Sequence, residues 1–124
     1  MSDAKKILLV EDEEAVVFAL KEKLDLLSGV EIITARDGEI GLEKAIAEKP
    51  DLILLDIIMP KMDGIEMLKK LREDDWGKTA RVIILSNLSH VKKEKEAKDL
   101  GVKHYLIKTD WKIEEVMDVI KKNL

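Results

Sequence analysis

Residues 52–56 read Leu-Ile-Leu-Leu-Asp, four consecutive aliphatic residues that end in a carboxylate. An aliphatic run without polar alternation is typical of a β-strand that is covered on both faces, as in a parallel sheet. Three further apolar runs also stop at polar residues: 7–10 at Glu11 and Asp12, 82–85 at Ser86, and 105–107 at Lys108. The chain therefore offers four buried strands, each followed by side chains that can do chemistry.

Amphipathic stretches separate these runs and predict helices, because their apolar residues recur at helical spacing. They cover residues 13–27, 37–49, 63–74, 90–100 and 113–124. A mixed run at 30–33 predicts a fifth strand at a sheet edge. Five strands alternating with five helices predict one α/β domain over residues 1–124, with a parallel sheet and helices on both faces. We expect the flavodoxin-like (βα)5 three-layer sandwich with strand order 2-1-3-4-5.

The helix predicted at 90–100 has few apolar residues among many lysines and glutamates, so we expect it to be the least firmly packed. Gly41 lies inside the second helix and predicts a close approach of another element. Five other glycines fall at junctions where a turn or helix end tolerates positive φ, namely Gly29, Gly38, Gly64, Gly77 and Gly101.

Composition excludes several classes of protein. The chain has 124 residues, a net charge of −4 and no cysteine. The negative charge argues against a dedicated binder of nucleic acid or of anionic membranes, because both need a basic face. The absence of cysteine excludes a disulfide framework and favours a reducing compartment, the cytoplasm. No apolar run approaches the roughly 20 residues of a membrane span.

The polar residues at the strand ends predict a site for a divalent cation and a phosphoryl group. In this strand order the first and third strands are neighbours, so Asp12 and Asp56 should lie side by side with Glu11. Three crowded carboxylates repel one another, and Mg²⁺ with its preference for oxygen ligands would relieve that repulsion. Asp56 could then act as a nucleophile, with Lys108 and Ser86 binding the phosphoryl oxygens. Taken singly, each residue also fits a helix cap, a turn or a solvated surface position.

Residues 55–64 read Leu-Asp-Ile-Ile-Met-Pro-Lys-Met-Asp-Gly. This segment resembles the phosphoacceptor segment of the receiver domains of two-component response regulators, the CheY-like family. The resemblance covers the whole chain, since the acidic pair, the acceptor Asp, the hydroxyl residue and the lysine follow the expected strands in the expected order.

The resemblance implies a role for each site residue. Asp56 would accept a phosphoryl group from a phosphohistidine on a sensor histidine kinase or phosphotransfer protein. Mg²⁺ would be bound by Asp12, Asp56 and the backbone carbonyl of Ile58, with Glu11 assisting. Ser86 and Lys108 would contact the phosphoryl group. Ser86 and Tyr105 would form the switch.

The same resemblance implies how the signal leaves the domain. In the family, the face formed by the fourth helix, fifth strand and fifth helix contacts a downstream protein, and no direct contact with nucleic acid or membrane is implied. Such a protein is a signalling phosphoacceptor rather than an enzyme, although it assists its own phosphorylation and its slow dephosphorylation.

Four residues depart from the family pattern or bear on its chemistry. Thr109 stands where the family usually has proline after the lysine, so the peptide bond there is predicted to be either trans with a shifted loop or a strained cis bond. Asn87 replaces a small residue and either narrows access to the phosphoryl group or adds a hydrogen bond. Ile58 and Leu88 flank the path of an attacking water in the family, and being apolar they cannot orient it. We therefore predict slow self-dephosphorylation.

Three other functions are alternatives to that of a receiver domain. A phosphatase of the haloacid dehalogenase type would need an Asp-x-Asp pair after the first strand, where this chain has Glu11-Asp12-Glu13. A nucleotide or flavin binder would show a glycine-rich phosphate loop, and none follows a strand. The main alternative is a pseudo-receiver that docks a partner without being phosphorylated.

Overall fold

The computed structural model describes residues 4–86, 91–107 and 112–124. Its elements are β1 (Lys5–Val10), α1 (Glu14–Leu24), β2 (Val30–Ala35), α2 (Gly38–Glu48), β3 (Leu52–Leu55), α3 (Gly64–Glu73), a short 3-10 helix (Gly77–Thr79), β4 (Val82–Ser86), α4 (Val91–Asp99), β5 (His104–Ile107) and α5 (Ile113–Lys122). Across these described ranges, no helix has both the length and the apolar character needed to cross a membrane.

The five strands form one parallel sheet in the order β2-β1-β3-β4-β5. The predicted flavodoxin-like order is therefore confirmed, and the mixed strand β2 lies at an edge as expected. Because β1 pairs with β3 in the register Val10 to Leu55, the residues that follow these two strands emerge next to each other.

Alternate residues of the central strands pack into two separate cores, one on each side of the sheet. Leu8 and Val10 of β1 belong to the core beneath α2, α3 and α4. Ile7 and Leu9 belong to the opposite core beneath α1 and α5. Both faces of β1 and β3 are thus covered, which explains why these strands are aliphatic without interruption.

Two helices begin with aspartate caps that also fix the ends of the loops near the site. The Asp37 side chain accepts a hydrogen bond from the Ile40 N–H at 2.8 Å, at the start of α2. The Asp63 side chain accepts one from the Glu66 N–H at 2.8 Å, at the start of α3. Each cap satisfies one of the amide groups that lack a partner in the first helical turn.

The glycine predictions were partly wrong. Gly29 and Gly101 have φ values of 71° and 85°, as expected, whereas Gly38, Gly64 and Gly77 do not have positive φ. A β-carbon at any of the latter three would collide with neighbouring backbone atoms, so the requirement there is space. Spacing along a sequence shows a junction but does not show which element passes close by. The close approach predicted at Gly41 is confirmed by Val10, whose Cγ1 would lie 2.9 Å from an added β-carbon.

Arg72 of α3 connects two segments, residues 77–80 and the turn after α4, through its guanidinium group. It donates hydrogen bonds to the carbonyl oxygens of Leu100 at 2.6 Å, Gly77 at 2.7 Å and Ala80 at 2.8 Å. Burial lowers the pKa of Arg72 below its usual value. This side chain connects α3 to the turn after α4. Helix α4 is otherwise sparsely anchored, because Ala97 is the one buried residue among its described side chains.

We expect Arg72→Met to lower the free energy of unfolding by about 2–3 kcal/mol, because three carbonyl groups lose a charged donor. Urea denaturation followed by circular dichroism measures this change. Arg81→Met is the matched control, since the exposed Arg81 side chain donates, within the described part of the chain, one hydrogen bond, to the Asn123 carbonyl at 3.0 Å. Equal losses in the two variants would contradict the role assigned to Arg72.

Candidate functional site

Three carboxylates meet at the carboxyl ends of β1 and β3. The Asp56 N–H donates to the Val10 carbonyl at 3.0 Å, and the Glu11 N–H donates to the Ala35 carbonyl at 2.9 Å, so the sheet pairing continues to the site. One carboxylate oxygen from each of Glu11, Asp12 and Asp56 lies within 4.8 Å of the other two. The structure thus brings together the three acidic residues that the sequence placed at strand ends.

The three carboxylates differ in exposure and in their local hydrogen bonds. Glu11 and Asp56 are 2% and 6% exposed, whereas Asp12 is exposed to solvent. The Glu11 carboxylate accepts the Glu13 N–H at 3.2 Å, and Asp56 Oδ1 accepts the N–H of Ile57 at 2.9 Å. The cluster therefore has a buried floor and one open side, through which a ligand can enter.

The electrostatics of this cluster favour a cation. At an effective dielectric constant of about 20, two like charges separated by 4.8 Å repel by roughly 3 kcal/mol. A divalent cation replaces that repulsion with attraction, and a set of carboxylate oxygens with an open side for retained waters suits Mg²⁺. The residues present therefore fit the metal that the sequence predicted.

The loop after β3 follows directly from Asp56. Ile58 lies two residues beyond Asp56, and its side chain is 54% exposed. Further along, the Met62 N–H donates to the Pro60 carbonyl at 2.8 Å, closing a three-residue turn around Lys61, whose φ is 67°. A non-glycine residue in this left-handed region is strained, so the loop holds a conformation that its surroundings must enforce.

Ser86 and Tyr105, the two residues predicted to form a switch, contact each other. Ser86 ends β4 and is fully buried, and Tyr105 lies half-buried on the neighbouring strand β5. Burial raises the pKa of Tyr105, a hydrogen bond with the Ser86 hydroxyl opposes that rise, and the charges of Glu94 and Asp56 add to it. The charge of Asp56, the phosphoacceptor candidate, therefore affects the pKa of the Tyr105 phenol.

Several predicted residues lie outside the described part of the chain. They are Lys108, the candidate partner of the phosphoryl group, and three of the four residues on which departures or slow dephosphorylation were predicted, namely Asn87, Leu88 and Thr109. Their roles stay predictions.

A cleft of about 550 Å³ opens beside the carboxylates, between α1 and α2. Glu11 and Asp12 line one end, and Phe18 of α1 lines a side while remaining 71% exposed. Arg36 and Lys44 add positive charge to the same cleft. The open side of the cluster therefore borders a surface that combines an aromatic ring with cations.

One backbone contact near the site was not predicted from the sequence. The N–H of Gly38, at the start of α2, donates to the carbonyl of Met62 in the loop after β3 at 3.2 Å. The Asp-Gly pair at 37–38 signalled the start of a helix. Nothing in the spacing of the chain showed that this helix start touches the loop that follows Asp56.

Comparison with known proteins identifies relatives of both sequence and fold. Residues 7–121 match the family described as the response regulator receiver domain. Sporulation initiation phosphotransferase F of Bacillus subtilis is 35% identical over 120 residues, which cover 97% of this chain and 94% of that protein. The chain spans only 28% to 42% of the length of several longer transcriptional regulators that it also matches.

Solved structures of related proteins have the same fold as this chain. The chemotaxis protein CheY4 of Vibrio cholerae superposes with a TM-score of 0.86 at 28% identity, covering 98% of this chain and 99% of that one. The phosphorylated cyanobacterial phytochrome response regulator RcpA superposes with a TM-score of 0.81 at 30% identity, covering 96% and 90% of the two chains.

Tyr105 is the single tyrosine of the chain, so its ionisation can be followed by phenolate absorbance without interference from another tyrosine. We expect a midpoint above the ordinary value of about 10 in the folded protein, because burial disfavours the phenolate, and a return to that value in denaturant. Since the folded state holds this proton more tightly, stability should fall as the pH rises from the ordinary pKa through the folded one.

Ser86→Ala provides the control for this titration. It removes the hydrogen bond that lowers the pKa of Tyr105, so the midpoint should rise further. A midpoint that does not change in Ser86→Ala would show that the two hydroxyl groups do not interact in solution.

Proposed function

Because this chain belongs to the response regulator receiver domain family, we propose that residues 1–124 form one receiver domain in which Asp56 accepts a phosphoryl group. Proteins of this family are signalling phosphoacceptors rather than classical enzymes. The observation that carries the proposal is the cluster of Glu11, Asp12 and Asp56, whose oxygens lie within 4.8 Å of one another around the end of β3. The main alternative, a pseudo-receiver, has no need for such a cluster.

The proposed reaction is transfer from a phosphohistidine. An oxygen of the Asp56 carboxylate attacks the phosphorus atom, the new O–P bond forms, and the N–P bond to the imidazole breaks. The imidazole nitrogen keeps the electron pair of that bond and takes up a proton. Mg²⁺, when bound by Asp12, Asp56 and the Ile58 carbonyl with help from Glu11, would neutralise charge on the transferring oxygens.

Ser86 and Lys108 would contact the phosphoryl group after transfer. The support for this role of Ser86 is that it ends β4, the strand next to β3, and that its side chain is buried. A hydroxyl donates one hydrogen bond, and an ammonium group adds a positive charge. Phosphoryl transfer needs mainly such positioning and charge neutralisation.

The hydrogen bond between Ser86 and Tyr105 suggests how the signal spreads. Phosphorylation adds about −1.5 to −2 charge units at Asp56, and the Ser86 hydroxyl would turn toward the new oxygens. Tyr105 would then lose its present partner and repack. This change would alter the face formed by α4, β5 and α5, which we propose contacts the downstream protein.

The proposed upstream partner is a sensor histidine kinase or a phosphotransfer protein in the cytoplasm. Exposed Asp12 leaves one side of the cluster open to solvent, and the cleft beside α1, which Glu11 and Asp12 line, would be the approach for a phosphohistidine. Two relatives support this proposal: one is named as a phosphotransferase of sporulation, and RcpA has been solved in a phosphorylated form.

We expect the protein to gain one phosphoryl group when it is incubated with acetyl phosphate and Mg²⁺, measured by intact mass. Asp56→Asn should abolish the gain, because an amide is not a nucleophile for this reaction. Asp75→Asn makes the same change at a fully exposed carboxylate and should behave like the wild type.

Two other results would decide against the proposal. No gain in the folded wild type, with either acetyl phosphate or a phosphorylated kinase domain, would favour the pseudo-receiver. A gain that persists in Asp56→Asn would place the phosphoryl group on another residue.

The lifetime of the phosphoryl group should depend on two apolar residues, Ile58 and Leu88. Because neither can orient an attacking water, replacing both with polar residues, as in Ile58→Asn with Leu88→Glu, should speed phosphate loss severalfold. Decay of the phosphorylated mass measures the rate. Leu26→Asn is the matched surface control, since Leu26 is 78% exposed and remote in the chain from the site. Unchanged decay in the double variant would contradict the prediction.

A further inference from the structure

The segment from Asp56 to Asp63, here called the acceptor loop, connects β3 to α3. It begins with the proposed phosphoacceptor and includes Ile58, whose carbonyl is a proposed metal ligand. The loop is closed at its end by Gly64, whose N–H donates to the Ile57 carbonyl at 2.7 Å. A β-carbon on Gly64 would overlap the Asp56 carbonyl oxygen, so α3 begins in direct backbone contact with the phosphoacceptor.

A second backbone contact holds the acceptor loop from outside. Gly38, the first residue of α2, donates its N–H to the Met62 carbonyl at 3.2 Å. A β-carbon on Gly38 would overlap the Met62 carbonyl oxygen and lie 2.9 Å from the carbonyl carbon. These are backbone atoms, which cannot rotate away as the end of a side chain can. The start of α2 and the loop therefore fit together only with a hydrogen atom at this position.

The Met62 backbone is bonded on both of its polar groups. Its carbonyl accepts from Gly38, and its N–H donates to the Pro60 carbonyl at 2.8 Å across the strained turn at Lys61. Strained turns persist only where the surroundings enforce them. Gly38 belongs to those surroundings, and its own position is fixed by the Asp37 cap, a buried side chain bonded to the Ile40 N–H.

We propose that Gly38 is a positioning residue for the metal and phosphoryl site. It touches no reacting atom. By allowing α2 to lie directly against the Met62 backbone, it sets the position of the acceptor loop, and with it the distance between the Ile58 carbonyl and the carboxylates. This inference rests on the proposed function, because it assigns a consequence for Mg²⁺ binding.

The test compares Gly38→Ala with Gly41→Ala. Both variants add one methyl group to α2, and both remove the flexibility of a glycine from the same helix. At Gly41 the added carbon meets side-chain atoms, Val10 Cγ1 at 2.9 Å and Met67 Sδ at 3.0 Å, and no atom of the acceptor loop is among its three nearest neighbours. The pair therefore separates a general packing effect from a displacement of the loop.

Three measurements apply to both variants at a temperature where each is fully folded. The first is the Mg²⁺ dissociation constant from calorimetry. The second is the set of backbone amide NMR resonances of residues 57–64, measured without metal. The third is the rate of phosphorylation by acetyl phosphate as a function of Mg²⁺ concentration.

We expect Gly38→Ala to weaken Mg²⁺ binding by roughly ten- to a hundredfold, as loss of support around a metal ligand does, and to shift the amide resonances of the acceptor loop. Saturating Mg²⁺ should restore much of the phosphorylation rate. Gly41→Ala should leave all three measurements near those of the wild type. Unchanged Mg²⁺ affinity in Gly38→Ala, or equal weakening in Gly41→Ala, would overturn the proposal.

Failure of the proposed function would look different, because the wild type itself would then neither bind Mg²⁺ nor gain a phosphoryl group. If Gly38→Ala does not fold, Asp37→Ala provides the same test by loosening the start of α2. Its control is Asp74→Ala, which removes a similar side-chain bond, to the Gly77 N–H at 2.9 Å, outside the site. Weaker Mg²⁺ binding in Asp37→Ala alone supports the proposal, and equal binding in both variants overturns it.

Discussion

The parallel pairing of β1 with β3 is the constraint on which the rest of the structure depends. It aligns Val10 with Leu55. Glu11 and Asp12, which follow β1, therefore lie beside Asp56, which follows β3. A fold gains nothing in stability by crowding three carboxylates, and their repulsion works against this pairing. The arrangement persists because both faces of these strands are buried in two aliphatic cores. Hydrophobic burial thus supports a cluster that is electrostatically unfavourable until a cation binds.

Around this cluster, rigid and adjustable parts are separated. The acceptor loop is fixed by backbone contacts with Gly64 and Gly38, and by the turn at Lys61. On the other side of β3, Ser86 and Tyr105 are connected by a hydrogen bond between two hydroxyl groups, which can be exchanged for other partners without breaking the sheet. The proposed function needs both metal binding and transmission of a change, and under this division positioning and switching involve different residues.

The helices also differ in how much apolar surface they bury against the sheet. α3 and α5 bury regular apolar faces, including Leu68 and Leu71 on α3 and Val116 and Ile120 on α5. α4 buries Ala97 among its described side chains, and the turn after it is attached to α3 through Arg72. An element with little buried area costs little free energy to displace. The small buried area of α4 is the physical reason why we propose that its face responds to phosphorylation.

The sequence by itself determined the strand order, the two-sided burial of the strands and the meeting of Glu11, Asp12 and Asp56. It could do so because aliphatic runs and helical periodicity are local signals, and because parallel strands end at a common edge. Only the tertiary structure decided why Gly38 and Gly64 are glycines, and that Ser86 contacts Tyr105. Those facts depend on backbone atoms and hydroxyl groups that are distant in the chain, and the approach distance between two elements leaves no periodic pattern in either one.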